Sequence, residues 1–179
     1  MGADATAGRL LILSGLPGAG KTTLARLLAR RLPAVHLRID TIEQGLRDLC
    51  GCAVGGEGYR LGQRIATDNL VLGLDVIADC VNPWPLTRDE WAQTAAAVGA
   101  AAVAIEIVCS DPVEHRHRVE SRVGDVPGLT PPSWRAVVER DYRAWDREPI
   151  RIDTALCSAE QAAEALVAAI ACAARRAPG

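Results

Sequence analysis

Apolar positions along this chain follow two rhythms in alternation. Leu10, Leu11, Ile12 and Leu13 form an unbroken apolar run that predicts a short buried strand over 9–14. Leu24, Leu27, Leu28 and Leu32 then recur at helical spacing, which predicts a helix stopped by Pro33. The run from Val35 to Asp40 predicts a second strand, 41–49 a helix, and the Gly-rich stretch 51–58 a loop. Leu61, Ile65 and Leu72 lie on or near one face of a helix predicted over 59–72. Residues 75–79 read as a short third strand ending in a carboxylate. Pro83-Trp84-Pro85 interrupts the chain, after which Thr87 is expected to cap a helix over 88–98 that Gly99 ends. A long strand over 101–109 is expected to be buried on both faces except at Glu106. Asp111-Pro112 opens a helix carrying Glu114, Arg116, Arg118 and Arg122, and 124–132 reads as a Pro/Gly loop. Ser133 is expected to cap a helix reaching about residue 145. A fifth strand over 150–153 and a last helix from 158 or 159 to about 174 complete the pattern.

Strands alternating with helices imply the α/β class, with a five-stranded parallel sheet covered by helices on both faces. Residues 1–8 read as a flexible polar terminus and 9–176 as a single domain, without repeats or long linkers. Ligands of such sheets bind beyond the carboxyl ends of the strands. That rule sets residues 15–22, Asp40 and Asp79 along one rim.

Composition narrows the function. The 179 residues are 49 % apolar, with no Phe and no apolar run of 18, so no membrane span is expected. No leader pattern opens the chain, which makes the cytoplasm the expected compartment. Met1-Gly2 with Thr6 matches only the bare myristoylation pattern, and acylation is not expected. The six cysteines form no C-x-x-C pair, and His115 and His117 point to different faces of their helix. Cys80, Cys109 and Cys172 are expected as buried thiols, and Cys50-Gly51-Cys52 is disfavoured as a redox pair because disulfides are rare in cytosolic proteins. A net charge of −2 argues against broad binding to long nucleic acid.

One lysine occurs among nineteen arginines, at position 21. The stretch Gly15-Leu16-Pro17-Gly18-Ala19-Gly20-Lys21-Thr22 fits G-x-x-x-x-G-K-[ST] and lies between a predicted strand and a predicted helix. A compact ammonium reaches between phosphate oxygens where a planar guanidinium is too wide. The glycines free backbone N–H groups to face an anion at a helix start, and Thr22 offers a hydroxyl to Mg²⁺. The expected ligands are therefore ATP and Mg²⁺, with Thr23 also at the loop. Phosphoryl transfer further needs a group to orient the acceptor hydroxyl and cations to offset charge. Asp40 is the candidate base, with a helix N-cap its structural alternative. Asp79 could serve Mg²⁺ through water, or orient substrate or Arg38. Arg118 and Arg122, four apart, are expected to share a helix face within a lid over about 116–133, although a solvated Glu114–Arg118 pair would explain Arg118 equally. Trp134, Tyr142 and Trp145 are expected to pack as helix onto the core.

These segments, together with Asp79-Cys80-Val81-Asn82, Ser110-Asp111-Pro112 and Ile152-Asp153-Thr154, resemble the small P-loop kinases of the AAA_33/zeta-toxin-like group. That group includes polynucleotide 5′-kinase domains, chloramphenicol phosphotransferase, and relatives of gluconate and adenylylsulfate kinases. The resemblance implies a P-loop NTPase sheet of order 2-3-1-4-5, Asp40 as general base, Arg122 with Arg118 on the transferred phosphoryl group, and Asp153 and Thr154 near adenine. It implies a phosphotransferase acting on a hydroxyl of a small molecule. Asn82 stands one residue beyond the D-x-N run of many polynucleotide kinases, which weakens a nucleic-acid acceptor. A polynucleotide or nucleoside kinase would instead be marked by a basic groove of Arg38, Arg47, Arg60 and Arg64. A switch GTPase is disfavoured, since guanine recognition by N-K-x-D needs a second lysine. An ATP-binding regulator without transfer is the non-enzymatic alternative.

Overall fold

The computed structural model describes residues 7–176. The loose terminus expected over 1–8 and the myristoylation pattern fall largely outside the described residues. Twelve elements alternate through the chain: β1 (Arg9–Ser14), α1 (Lys21–Arg31), β2 (Val35–Arg38), α2 (Ile39–Cys50), α3 (Glu57–Leu70), β3 (Val76–Asp79), α4 (Pro85–Ala96), β4 (Ala101–Val108), α5 (Pro112–Ser121), α6 (Trp134–Val138), β5 (Ile150–Asp153) and α7 (Ala159–Arg176). The five strands form one sheet of order β2-β3-β1-β4-β5, every neighbouring pair parallel. Both the class and the strand order agree with expectation.

The apolar run of β1 is explained by burial on two sides. Leu11 and Leu13 pack with Leu24 and Leu28 of α1 and Leu166 of α7, while Leu10 and Ile12 pack with Leu70 of α3 and Trp91 of α4. A parallel sheet with helices on both faces has no polar side to expose, so its central strand reads as continuous apolar sequence. Each fully buried leucine contributes about 1.5–3 kcal/mol. Among the described residues no helix is long and apolar enough to cross a membrane.

Several boundaries differ from expectation. β2 stops at Arg38 because its partner β3 ends at Asp79, the residue in register with Arg38. With no ladder beyond that pair, Ile39 turns into α2, so Asp40 lies in the first helical turn rather than at a strand end. It is not the N-cap either, since Arg38 holds that position. α4 starts at Pro85, whose missing N–H is harmless at a first helical position. Thr87 is therefore inside the helix, and its hydroxyl donates to the Trp84 carbonyl at 3.0 Å.

The helix expected to run to 145 ends at Val138. Arg88, buried at 1 % exposure, is the physical cause. Its guanidinium donates to the carbonyls of Asn82 (2.9 Å), Arg143 (2.7 Å) and Ala144 (3.1 Å). The amide of Arg143 donates to Pro83 O at 2.8 Å, so it is spent outside any helix. Trp145 and Tyr142 cover the guanidinium, their ring centroids 4.3 and 5.1 Å from its carbon. The two aromatic residues thus enclose a buried cation instead of packing as a helical face.

Candidate functional site

β1 delivers the chain to a turn that only glycine can make. Gly15 has φ 139°, and a Cβ there would stand 2.1 Å from Ile107 O. Gly18, at φ 83°, passes so close to α5 that a Cβ would meet Val119 at 2.5 Å. His115 of α5 bonds the loop directly, Nε2 to Pro17 O at 2.8 Å. At the other end, Gly20 precedes α1 without a side-chain cap, and no acidic residue occupies the first turn. The amides at this helix start are left available to an anion. Ala19 is buried at 1 % exposure, so it contributes backbone alone.

Lys21 is also buried, and its Nζ donates to Leu16 O at 2.9 Å across the loop. Burial pushes the ammonium below its ordinary range, while Asp79 and Asp40 pull the other way and Arg122 adds to the depression. Those influences locate two carboxylates and an arginine around one lysine. Asp79 is 3 % exposed and takes a bond from His36 Nε2 at 3.1 Å. Burial raises the affinity of its carboxylate for a proton, yet His36, Lys21 and the Thr22 hydroxyl outweigh that and hold it below the usual range. Asp79 is thus ionised and sits beside Thr22. Arg38, one of the partners expected for Asp79, is turned to Asp125 instead.

Lys21, Thr22, Thr23, Arg38, Asp40 and Asp79 open onto one cleft of about 1340 Å³, joined by Pro17, Gly18, Gly20, Arg118, Arg122 and Thr154. This exceeds the roughly 300–1,000 Å³ usual for one small ligand, and leaves room for two. Gly15, Ala19 and Asp153 do not line it. Asp153 is turned to structural work, one oxygen accepting from the amides of Ser110 and Ala155, both at 3.0 Å. Thr154 does reach the rim, its hydroxyl 3.0 Å from Ala19 O.

Arg118 and Arg122 do not share a helix face. α5 ends at Ser121, and Arg122 adopts an extended conformation at the C-cap. Arg118 pairs with Glu114 at 2.8 Å, as its structural alternative required, and also donates to Thr154 Oγ1 (2.8 Å) and O (3.1 Å). It therefore ties α5 to the turn after β5, while Arg122 lines the same cleft as Lys21. Of the basic groove expected of a polynucleotide enzyme, Arg38, Arg47 and Arg60 line the cleft and Arg64 does not; Arg38 is paired with Asp125 and Arg47 with Glu43.

Sequence reasoning missed several residues here. Glu43 lies one turn after Asp40, and burial raises its carboxyl, with Asp40 adding to the rise. Its i, i+3 spacing from Asp40 was a usable signal. Tyr59 accepts from the amide of Asn82 at 3.2 Å, and burial pushes its phenol far above the ordinary range. His36, Arg26 and Asp125 carry no local pattern, because their partners are distant in sequence. Among the described residues no group of three or more His, Cys, Asp or Glu could hold a metal, and the six cysteines are free thiols, Cys50 and Cys52 exposed.

Known structures share this architecture. Mycobacterium tuberculosis APS kinase in complex with AMPPNP and APS aligns with a TM-score of 0.67 at 18 % identity, over 90 % of this chain and 96 % of that one. A gluconokinase from Sinorhizobium meliloti aligns at 0.64 and 17 %, over 95 % of both chains. The Deinococcus radiodurans tunicamycin resistance protein aligns at 0.63 and 17 %, over 91 % and 95 %. At such identities the likeness is one of fold. A comparison with curated proteins found no match in sequence. The model of the AAA_33 family, described as an AAA domain, matches residues 10–140. With its phosphate loop, five-stranded parallel sheet and family match spanning most of its length, the chain belongs to the AAA_33 family.

Proposed function

We propose that this protein is a P-loop kinase that moves the γ-phosphoryl group of ATP to a hydroxyl of a small-molecule acceptor. The observation carrying this reading is that Lys21, Thr22, Asp40 and Asp79 open onto one cleft wide enough for two molecules. Residues 15–22 would cradle the triphosphate with backbone amides, and Lys21 would swing from Leu16 O to the phosphate oxygens. The Mg²⁺ that such transfer uses fits the donors present: the Thr22 hydroxyl and an ionised Asp79, both hard oxygens. Bound there, it would neutralise phosphate charge. Thr154, braced by Arg118, lines the cleft beside Ala19 and Gly20, and the nucleotide's base would lie near its turn, whereas Asp153 would act only through that turn.

In the transfer step the acceptor oxygen bonds to the γ-phosphorus, its proton passes to the Asp40 carboxylate, and the bond to the leaving β-phosphate oxygen breaks with its electron pair. Arg122, which lines the same cleft as Lys21, would offset charge on the moving group. The segment from Arg122 to Ser133 borders the cleft through Val123, Asp125, Leu129 and Thr130, and would serve as the lid. The net charge of −2 favours a small acceptor over a polynucleotide.

The test incubates the protein with Mg²⁺ and γ-labelled ATP against sugars, sugar acids, nucleosides, antibiotics and 5′-hydroxyl oligonucleotides. Label should move to a small hydroxyl compound and fail to move with Asp40→Asn. Absence of AMPPNP binding to the wild-type chain would sink the reading. Binding without transfer to any acceptor would favour a regulator.

A further inference from the structure

Two arginines that line the cleft are occupied by a carboxylate carried on a loop. Arg38 donates from Nη1 to Asp125 Oδ2 at 2.9 Å and from Nη2 to Oδ1 at 2.7 Å, and Arg26 donates from Nη2 to Oδ2 at 2.7 Å. This forked geometry is the one in which arginine takes a carboxylate, sulfate or phosphate. The cations belong to the framework: Arg26 projects from α1 and Arg38 ends β2. The anion belongs to a connection between α5 and α6, flanked by Gly124, Pro127 and Gly128. Arg38 is also under-satisfied, with a side chain only 9 % exposed and an Nε that is buried without a hydrogen-bond partner. A planar guanidinium with one donor unused is a cation that a larger, more oxygen-rich anion would fit better than a single carboxylate.

We propose that the Arg26–Arg38 pair is an anion-binding subsite of the cleft, with Asp125 as its internal occupant, and that the acceptor is a hydroxyl compound whose own carboxylate, sulfate or phosphate group takes Asp125's place. The acceptor claim rests on the kinase reading; the subsite does not. Arg38 precedes Asp40 by two residues, so a molecule anchored there would hold its remaining atoms near Asp40. Departure of Asp125 would release the 122–133 segment from both framework elements in the same event. Anion binding and movement of that segment are thereby one exchange.

Sulfate titrated calorimetrically into the full chain tests the subsite. Asp125→Asn removes the competing charge and should bind sulfate about tenfold more tightly than wild type. The gain should vanish in the Asp125→Asn/Arg38→Gln double variant and shrink in Asp125→Asn/Arg26→Gln. Arg26 is 52 % exposed, so its substitution leaves a folded protein even if Arg38→Gln does not. The phosphate loop, another sulfate site, is common to all variants and cancels in the comparison. Equal sulfate affinity in wild type and Asp125→Asn, or a gain that survives both arginine substitutions, overturns the subsite. AMPPNP affinity, measured in parallel, judges the kinase reading separately. With an acceptor that is turned over, Arg38→Gln should raise its KM at least tenfold. A neutral acceptor used equally by wild type and Arg38→Gln would overturn the assigned class.

Discussion

At the scale of single residues, the phosphate loop depends on a few side chains and on one absent side chain. Lys21→Ala should weaken AMPPNP binding by about 2–3 kcal/mol, roughly a hundredfold, measured by calorimetry. Wild-type affinity in that variant would remove the lysine from the phosphate site. Asp40→Asn should lower kcat on the order of 10²–10⁴-fold while AMPPNP affinity stays within a small factor, since a base acts only in the transfer step. At Gly15 the combination of φ 139° and the nearby Ile107 carbonyl makes alanine strained whatever else moves. Gly15→Ala should cost roughly 2–4 kcal/mol, read as a fall in the urea midpoint. These positions were legible in the sequence because the loop is contiguous: eight neighbouring residues carry the geometry, the cation and the hydroxyl. Asp40 was legible as a candidate, although its setting was not. Its place in a helix follows from β3 being too short to extend β2.

Among elements, two of the departures from expectation are helices that end early. α5 stops before Arg122, and this separates two arginines that a longer helix would have aligned. The separation predicts different kinetic effects. Arg122→Ala should lower kcat by roughly 10²–10³-fold with little change in the KM for ATP. Arg118→Ala, which removes its bonds to Thr154 while those of the Thr154 hydroxyl to Ala19 O and Val108 O remain, should act mainly on that KM. An effect of Arg122→Ala on KM alone would assign it to ground-state binding. Arg88 has a comparable role for the 139–149 stretch. Arg88→Met would leave three carbonyls without their donor and should destabilise the protein by about 3 kcal/mol. Limited proteolysis should then cut within 139–149 before the rest, and uniform protection would refute the anchoring role. The sequence could not announce this, because an arginine at helical spacing looks the same whether it meets solvent or three carbonyls.

For the whole molecule, stability should depend on pH at both extremes through groups of opposite behaviour. Burial, with the Glu106 carboxylate 3.1 Å away, pushes the Tyr142 phenol up to about 12 from an ordinary 10.0. Between those values the folded chain keeps a proton that the unfolded chain has lost, so stability falls as pH rises through that window. Asp79 works in the other sense: its carboxylate is held below the ordinary 3.8, so its contribution is complete above that value and lost as pH falls toward the folded one. Urea midpoints across pH should show both limbs, and Tyr142→Phe should flatten the alkaline one. An equally steep alkaline limb in that variant would assign it to another group. What the sequence determined by itself is the order of strands and helices, the burial of β1 on two faces and the phosphate loop, because each depends on periodicity or on adjacent residues. The tertiary structure decided which polar groups meet: His36 with Asp79 across 43 positions, Arg118 with Thr154 across 36, Arg38 with Asp125 across 87. An ion pair leaves no rhythm in the sequence, since its energy depends on distance in space and on burial, and both exist only after the sheet has brought the strand ends together.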